Sequence, residues 1–512
     1  MESATHRALS IPEVFREILL KLGAQQHTFV NPACKPASTF EYVDNVLVLH
    51  ENQATLSRVA RCCREFSSPA LDVLWTHMSS LIPLFKLIGL VSGSIGLGGY
   101  CLSGHITPSQ LARFEHYARR IRHLDCSDDV DYIVFLRVAK LLQGRDLLPS
   151  LLSVATLCPS QLLHLVSTNV RKIHLVEFGD MHNADHAATV LEWVAEMACR
   201  LEVLVVQAYL SDILPTIGQY DCLRCLDLSL GEDEVSVDLH LLNSSIFTRR
   251  SLQELSLGLG ELRERPSASL QVFREIHNLR KLDIRAPRFF VKHALACVVN
   301  SPIALLDLTC SEPNSSVIEH QNSLSMQLSQ WRDTLHTLSL ENHTDLLDDL
   351  EEIEPLFELK ALRSLRLCPV SSLNLSNGDL YKIAHAWPEM EVLTLADNKC
   401  KRPRATIAAL EGFALLCPKL RRLRLPLDID NLPPSPRIMS HKLQSLHIAW
   451  SMKKGASTVA RHLDAIFPAL HSVYEVHERH LPERRLWEEV DKAIKMFQMV
   501  RTEDRKRQSM AC

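Results

Sequence analysis

Among the residues of this chain that could perform catalysis or hold a metal ion are its 24 histidines and 15 cysteines. The segment His477-Glu478-Arg479-His480 comes closest to a zinc-protease motif, but its histidines lack the His-Glu-x-x-His spacing that presents two imidazoles on one helix face. Cys222 and Cys225 have the spacing of half a zinc site or of a redox pair, yet the sequence contains no second Cys-x-x-Cys. We therefore predict no metal site and interpret both cysteines as structural residues at the start of a strand.

Two common catalytic loops are also missing from the sequence. It has no Gly-x-Ser-x-Gly, the motif that exposes a nucleophilic serine between a strand and a helix. The glycine-rich stretch with Gly93, Gly96 and Gly99 lacks the terminal Gly-Lys-Ser/Thr of a phosphate-binding loop. The sequence therefore predicts a protein that is not an enzyme and that needs no cofactor, with a hydrolase hidden in inserted loops as the remaining catalytic alternative.

Polar residues that alternate with leucines in short strands are better candidates for function, because they point away from the core. The candidate substrate-binding residues are Asp227, Glu254, Asp283, Arg285, Asp307, Glu341, Arg366, Arg422, Arg424 and His447. Residues from Asp227 to Glu341 are mixed in sign, whereas those from Arg366 to Arg424 are basic. This gradient of charge could recognise a partner segment, and a merely solvated face accounts for it equally well.

A repeated frame of apolar residues at positions i, i+3 and i+5 predicts these strands. Its starts lie 22 to 32 residues apart after a first interval of 49 residues. The frames begin at Ile121, Val170, Leu201, Leu223, Leu252, Leu279, Ile303, Leu335, Leu362, Met390, Leu420 and Leu443. This interval is typical of leucine-rich repeats, and the longer first interval predicts a degenerate repeat or an inserted helix.

The frame and the segments between frames have different periodicities. The Leu-x-Leu end of the frame alternates with period two and predicts a short strand. Segments between strands, such as 406–416 with Ile407, Leu410 and Phe413, have the spacing of a helix. The sequence therefore predicts an α/β fold, a leucine-rich-repeat solenoid with parallel strands on its concave face and helices outside.

The composition is that of an ordinary folded protein, with 46% apolar and 23% charged residues and a formal net charge of −4. This balance predicts neither a nucleic-acid partner nor a membrane partner. The uncharged stretch 87–104 is long enough to span a membrane, but its glycines and serines favour a loop. Because the first residues lack the apolar core of a signal peptide and the cysteines fall singly, we expect free thiols and a cytoplasmic and/or nuclear location.

The N-terminal segment lacks the frame and predicts three short helices instead. Ser10 and Glu13 form a capping box at the start of the first helix. Ser68 and Pro69 predict the start of the third helix. The apolar stripes of the three helices are Ile11, Phe15, Ile18 and Leu22; Leu56, Val59, Cys63 and Phe66; and Leu71, Leu74 and Trp75. A module this small buries little apolar surface, so we expect it to depend on a partner.

These three helices resemble an F-box. The motifs that carry the resemblance are Ile11-Pro12, Ile18-Leu19, the helix from Leu56 to Arg64, and the ending from Leu71 to Trp75. Repeats in which Cys or an aromatic residue precedes proline, clearest at Cys417-Pro418, are similar to those of F-box proteins. The whole chain therefore resembles the fungal type of F-box/leucine-rich-repeat protein, which binds the Skp adaptor of a cullin-RING ubiquitin ligase and recruits protein substrates to it.

The resemblance implies both a function and an adaptor-binding surface. The implied adaptor-binding residues are Ile11, Pro12, Phe15, Ile18, Leu19, Leu56, Val59, Leu71 and Trp75. The implied function is that of a non-catalytic substrate-recognition subunit, which binds the Skp adaptor, and through it a cullin, by its N-terminal helices and an unidentified protein substrate by its repeats. The alternative is a leucine-rich-repeat scaffold that binds a protein partner without a ligase.

The predicted domain organisation follows from these assignments. It comprises the F-box-like module at 9–88 with an inserted loop at 23–53, a glycine-rich linker and first outer helix at 89–110, the repeat array at 111–475, a capping helix at 476–500 and a solvated tail at 501–512. The family's usual connection is much shorter than the inserted loop. A surface insertion costs little stability, but it leaves the geometry of adaptor binding open.

Overall fold

A computed structural model of the chain describes residues 11–24, 52–92, 100–102, 104–126, 130, 132–175, 184–207, 213–229, 239–259, 276–310, 327–341, 350–368, 375–395, 403–433, 437–448, 455–475 and 481–511. These residues form an α/β fold that divides into two units, Met1–Cys225 and Leu226–Cys512. They include fifteen parallel strands, which we number with the helices in chain order. The predicted α/β class is therefore confirmed.

The first unit begins with three helices, α1 (Pro12–Ala24), α2 (52–59) and α3 (Arg64–Thr76). Phe15 and Leu19 of α1 pack with Leu56 of α2 and with residues of α3 in one buried cluster. The rings of Phe15 and Phe66 stack with their centroids 4.3 Å apart. The core of this module is therefore built from residues on all three helices.

The third helix begins earlier than the sequence predicts. Pro69, predicted for its first turn, lies inside α3. Proline at this position removes one backbone hydrogen-bond donor from the helix. The preceding turn nevertheless stays helical because its Phe66 is held against Phe15. Tertiary packing thus overrides the local cap signal at Ser68.

After these helices the first unit continues with β1 (His77–Met78), α4 (Ile82–Lys86), β2 (Leu90–Ser92), β3 (Tyr100–Leu102), α5 (Pro108–Ala118), β4 (His123–Cys126), α6 (Tyr132–Leu142), β5 (Ser153–Thr156), α7 (Pro159–Leu165), β6 (Lys172–Leu175), α8 (Ala184–Met197), β7 (Val203–Gln207) and α9 (Leu214–Ile217). Strands β1, β4, β5, β6 and β7 pair in parallel in chain order. A capping box of Thr107 and Gln110 starts α5, which begins at the end of the segment 89–110 predicted for the linker and first outer helix and continues to Ala118.

Strand β5 lies in the long first interval between predicted frames. Leu151, Val154 and Thr156 occupy the i, i+3 and i+5 positions of a frame, and all three are buried. Val154 pairs with residues of β4 and β6. A frame search restricted to apolar residues misses this strand because its last position is a threonine. The long first interval thus contains a strand of the sheet as well as helix α6.

The second unit contains β8 (Cys225–Ser229), α10 (Leu239–Ile246), β9 (Glu254–Gly258), β10 (Lys281–Ala286), α11 (Arg288–Cys297), β11 (Leu305–Cys310), β12 (Thr337–Glu341), α12 (Leu350–Ile353), β13 (Ser364–Cys368), α13 (Asn377–Ala386), β14 (Val392–Leu395), α14 (Ala409–Leu416), β15 (Arg422–Leu425), β16 (Ser445–Ile448), α15 (Ala456–Ile466), β17 (Ser472–Glu475) and α16 (Leu481–Ala511). From β9 to β17 each strand pairs in parallel with the next one along the chain.

Equivalent leucines are direct neighbours in this parallel register. Leu338 of β12 pairs with Leu306 on one side and with Leu365 on the other. Every predicted frame coincides with a strand, and its i, i+3 and i+5 residues are buried. Because the side chains of a strand alternate between its two faces, the residues between these apolar positions point the other way.

The C-terminal helix is longer than predicted. Helix α16 continues through the segment 501–512, predicted as a solvated tail, as far as Ala511. Its first half is anchored by Trp487, which is buried. Arg501 then forms a two-pronged ion pair with Asp464 of α15, in which the Nη2–Oδ1 distance is 2.7 Å. Paired arginine–carboxylate contacts of this kind are strong and directional, so they hold the helix beyond residue 500.

The uncharged stretch 87–104 includes an antiparallel hairpin of β2 and β3, and its residues 93–99 and 103 lie outside the described residues. No helix in the described part of the chain is long and apolar enough to cross a membrane. Eleven of the cysteines in the described part of the chain, among them Cys297 and Cys417, take part in no disulfide.

Leu338→Ala should destabilise the protein by about 2–5 kcal/mol, because Leu338 is fully buried and its removal leaves a cavity. Urea denaturation followed by circular dichroism measures this loss. Leu415→Ala makes the same chemical change on α14 at a side chain that is 51% exposed, and it should cost about 0.5 kcal/mol or less. Equal losses in the two variants would contradict the burial pattern.

Candidate functional site

The first candidate surface is the exposed side of α1. Ile11, Val14 and Ile18 are 47%, 39% and 41% exposed. Their spacing of i, i+3 and i+7 puts them on one helix face. Leu20 is exposed as well. Neighbouring exposed apolar side chains often mark a surface that binds another protein.

The predicted adaptor-binding residues divide according to burial. Ile11 and Ile18 are exposed; Phe15, Leu19 and Leu56 are buried; Val59, Leu71 and Trp75 are half-buried; and the side chain of Pro12 lies outside the described residues. The buried members form the core of their own module. They can therefore stabilise a binding surface, but only the exposed members offer it contact area.

Val14 was not among the predicted residues, although the sequence contains a signal for it. Helix α1 has two apolar stripes, one with Phe15 and Leu19 and the other with Ile11, Val14 and Ile18. The single apolar stripe predicted from the sequence contains residues from both of these stripes. Which stripe faces the core depends on where α2 and α3 pack, and that is a tertiary contact.

The second candidate surface lies in the second unit, on the side of the sheet that faces away from the buried leucines. We call it the polar face and define it by the residues that alternate with the frame positions in β8–β16. Its central row, in register from β9 to β16, is Ser256, Asp283, Asp307, Ser339, Arg366, Thr394, Arg424 and His447. By this alternation all the predicted substrate-binding residues lie on the polar face.

These residues differ in how far they are exposed. Asp227 is buried; Asp283, Asp307, Glu341, Arg424 and His447 are half-buried; and Glu254, Arg285, Arg366 and Arg422 are exposed. Half-buried charged side chains lose part of their hydration. Their ionised forms therefore have a higher free energy here than on an open surface.

Three aspartates meet at the acidic end of the polar face. Asp283 and Asp307 pair directly across β10 and β11. Burial raises the pKa of Asp227, Asp283 and Asp307, and repulsion from Asp307 helps to bring the pKa of Asp283 to about 6. Hydrogen bonds with Ser256 and Ser339 oppose the rise at Asp227 and Asp307, respectively. The acidic end of the polar face therefore carries negative charge, which positive side chains nearby would stabilise.

Lys281 and Arg285 provide part of that positive charge. Both lie on β10 beside Asp283, and both lower its pKa against the stronger effect of burial. The acidic end is therefore partly neutralised by its own strand. No group of three His, Cys, Asp or Glu residues in the described part of the chain could hold a metal ion.

Arginines form the basic end of the polar face. Arg366 makes an ion pair with Glu341, in which the Nη2–Oε2 distance is 3.5 Å. Arg424 is half-buried, burial lowers its pKa, and its Nε has no hydrogen-bond partner among the described residues. Burial, together with Arg424 and Arg422, also lowers the pKa of His447. His447 is therefore uncharged at neutral pH, and the positive charge of this end resides on the arginines.

The sheet of the first unit carries the histidines His77, His123 and His174. The rings of His77 and His123 stack with their centroids 4.2 Å apart, and His123 Nδ1 lies 2.8 Å from Ser153 Oγ. Burial lowers the pKa of His174 on the same sheet. Of the motif residues considered for chemistry, Cys222 and Cys225 are not joined by a disulfide, and His477-Glu478-Arg479-His480 lies outside the described residues.

Comparison of the sequence with protein families and with curated proteins finds no match. The fold thus defines the class only as an α/β protein with parallel strands. Its two candidate surfaces are an apolar helix face in the first unit and a charged strand face in the second.

Asp283→Asn should raise the free energy of unfolding at pH 7.5, by at most about 3 kcal/mol, because it removes a carboxylate whose pKa burial raises from 3.8 to about 6. Between these two values the folded state holds the proton more tightly than the unfolded state, so lowering the pH removes the cost of the charge. The advantage of the variant should therefore shrink as the pH falls from 7 toward 4.

Urea denaturation over this pH range measures the difference between the two proteins. The matched control is Asp333→Asn, which changes a carboxylate with 86% of its side chain exposed and should leave stability nearly unchanged. If Asp283→Asn is less stable than the native chain at pH 7.5, the ionised carboxylate of Asp283 stabilises the folded state, and the prediction is wrong.

Proposed function

We propose that this protein is a non-catalytic substrate-recognition subunit of a Skp–cullin–F-box ubiquitin ligase. The observation that carries the proposal is the second apolar stripe of α1, which is left exposed by a module whose core is already complete. A small helical module with an uncovered apolar face is suited to bury that face against another protein. The motif resemblance of the same helices to an F-box supports the Skp adaptor as that protein.

In this proposal the strand–helix units are leucine-rich repeats that form a solenoid. The in-register pairing of Leu306, Leu338 and Leu365 supports it, because stacked repeats place equivalent leucines side by side. The burial of all the frame residues supports it as well. The polar face would then be the surface that meets a protein substrate.

The role of this chain in the reaction is positional. Ile11, Val14 and Ile18 would bury their side chains against the adaptor, while Phe15 and Leu19 hold α1 in place from behind. A substrate bound on the polar face would be brought close to the ubiquitin-loading subunit, and proximity alone raises the effective concentration of a reactant strongly. This role needs no catalytic residue, metal or cofactor of its own, and it is one that is carried out in the cytoplasm or the nucleus.

Ile18→Asp should reduce recovery of the Skp adaptor by about tenfold or more, because it places a charge in the centre of an apolar contact. The measurement is affinity purification of the tagged full-length chain co-expressed with the adaptor, followed by quantification of both proteins. Adding Pro12→Ala to the variant extends the change to the motif's proline.

The matched control is Ile438→Asp, which makes the same change at a side chain that is 88% exposed in the second unit. It should recover as much adaptor as the native chain. If the native chain recovers no more adaptor than Ile18→Asp, the receptor proposal fails. The rival description, a repeat scaffold that binds a partner without a ligase, then takes its place.

A further inference from the structure

The basic end of the polar face carries positive charge that the described residues do not neutralise. Arg422 and Arg424 lie two residues apart on β15, and Arg366 lies two strands away on β13. Among the described residues, neither Arg422 nor Arg424 has an ion-pair partner or a side-chain hydrogen-bond partner. The Glu341 carboxylate raises the pKa of Arg424, but it does not form an ion pair with it.

The partial burial of Arg424 is costly for the fold. Arg424 is half-buried, so its guanidinium loses hydration without gaining a hydrogen bond at Nε. Burial lowers its pKa, and the positive charge of Arg366 contributes in the same direction. Guanidinium groups nevertheless stay charged at neutral pH. A site with this arrangement gains stability when an anion arrives.

Glu341 shows which kind of anion fits this end. Its carboxylate lies 3.5 Å from Arg366 and pairs with it, on the neighbouring strand β12. The two side chains are 38% and 50% exposed, so the pair is weak and open to competition. Glu341 therefore acts as an internal carboxylate that pairs with Arg366 and also stabilises the positive charge of Arg424.

We propose that the basic end of the polar face, formed by Arg366, Arg422 and Arg424, binds an extended substrate segment that carries carboxylate or phosphoryl groups. This deepens the proposed function, on which it rests only for the identification of the bound segment as a substrate. Both kinds of group accept the paired hydrogen bonds that guanidinium offers.

The distance between strands sets the spacing of the acidic groups in a segment that could bind to this end. Strands lie about 4.8 Å apart, so the backbones of Arg366 and Arg424 are separated by about 10 Å. An extended chain covers about 10 Å in three residues. A segment that runs across the strands would therefore place an acidic group at every third residue opposite these two arginines.

A short acidic protein segment fits this surface better than a nucleic acid. Asp307 lies on β11, two strands from Arg366, and Asp283 follows on β10. At physiological salt a charge acts over about 8 Å, so these aspartates repel a polyanion that extends past the arginines. The net charge of −4 for the whole chain also opposes a long polyanion.

The test uses the purified full-length chain and fluorescence anisotropy with peptides labelled with a zwitterionic rhodamine. One peptide repeats Glu-Gly-Gly, a second repeats phosphoserine-Gly-Gly, a third repeats Lys-Gly-Gly, and single-stranded oligouridine represents nucleic acid. We expect the native chain to bind both acidic peptides, more weakly as salt is added, and not to bind the lysine peptide. The tighter of the two acidic peptides identifies the group that the substrate carries.

The variants probe each charge in turn. Arg422→Gln and Arg424→Gln should each weaken binding of the acidic peptides about tenfold. Arg422 is exposed, so its variant keeps the test valid even if the Arg424 variant folds poorly. Glu341→Gln should strengthen binding, by about threefold, because it frees Arg366 from its internal partner.

The matched control is Arg421→Gln, an exposed arginine that immediately precedes β15 and lies out of step with Arg422 and Arg424 in the alternation of side chains. It should leave affinity within about twofold of native. The proposal is overturned if neither acidic peptide binds, if Arg421→Gln weakens binding as much as Arg422→Gln, or if oligouridine binds more tightly than both peptides.

Failure of this proposal is distinguishable from failure of the proposed function. The peptide measurement involves no adaptor, and the adaptor measurement involves no peptide. Adaptor recovery without peptide binding would leave a ligase subunit whose substrate is recognised elsewhere. Peptide binding without adaptor recovery would leave an acidic-segment receptor that works outside a ligase.

Discussion

The in-register pairing of short parallel strands is the constraint on which the rest of this structure depends. Each strand contributes only a few leucines, too few to bury themselves, and the strands on either side cover them. Leu338 is fully buried with Leu306 and Leu365 as its lateral neighbours. A shift of one residue in any strand would turn its leucines to the polar face and its polar residues into the core. The core and the functional surface are therefore set by the same register.

That register also explains why charges on the polar face perturb one another. Residues at equivalent positions stand about 4.8 Å apart in rows, much closer than charges that are free to disperse over an irregular surface. Asp283 and Asp307 are neighbours in such a row, and burial and their repulsion raise the pKa of Asp283. Arg366 and Arg424 are near neighbours at the other end. The strand register is therefore sufficient to give this surface an electrostatic pattern.

The N-terminal helices form a small module, and a module of this size has few apolar side chains to bury in its own core. Helix α1 uses Phe15 and Leu19 for the core and leaves Ile11 and Ile18 outside. Phe15, Leu19 and Leu56, for which the sequence predicts adaptor contact, lie in this core and can influence the exposed face only through the position of α1.

The sequence alone determined the α/β class, the positions of twelve strands (β4 and β6–β16) and the set of residues on the polar face, because period-two alternation and the i, i+3, i+5 frame are local patterns. It missed strands β1, β2, β3 and β17 and also β5, where Thr156 replaces an apolar residue. It ended the last helix before the Arg501–Asp464 pair that extends it. Tertiary structure decided which stripe of α1 is buried, how deep each charge lies and which charges are neighbours. These depend on contacts between residues far apart in the chain, for which spacing along the sequence carries no information.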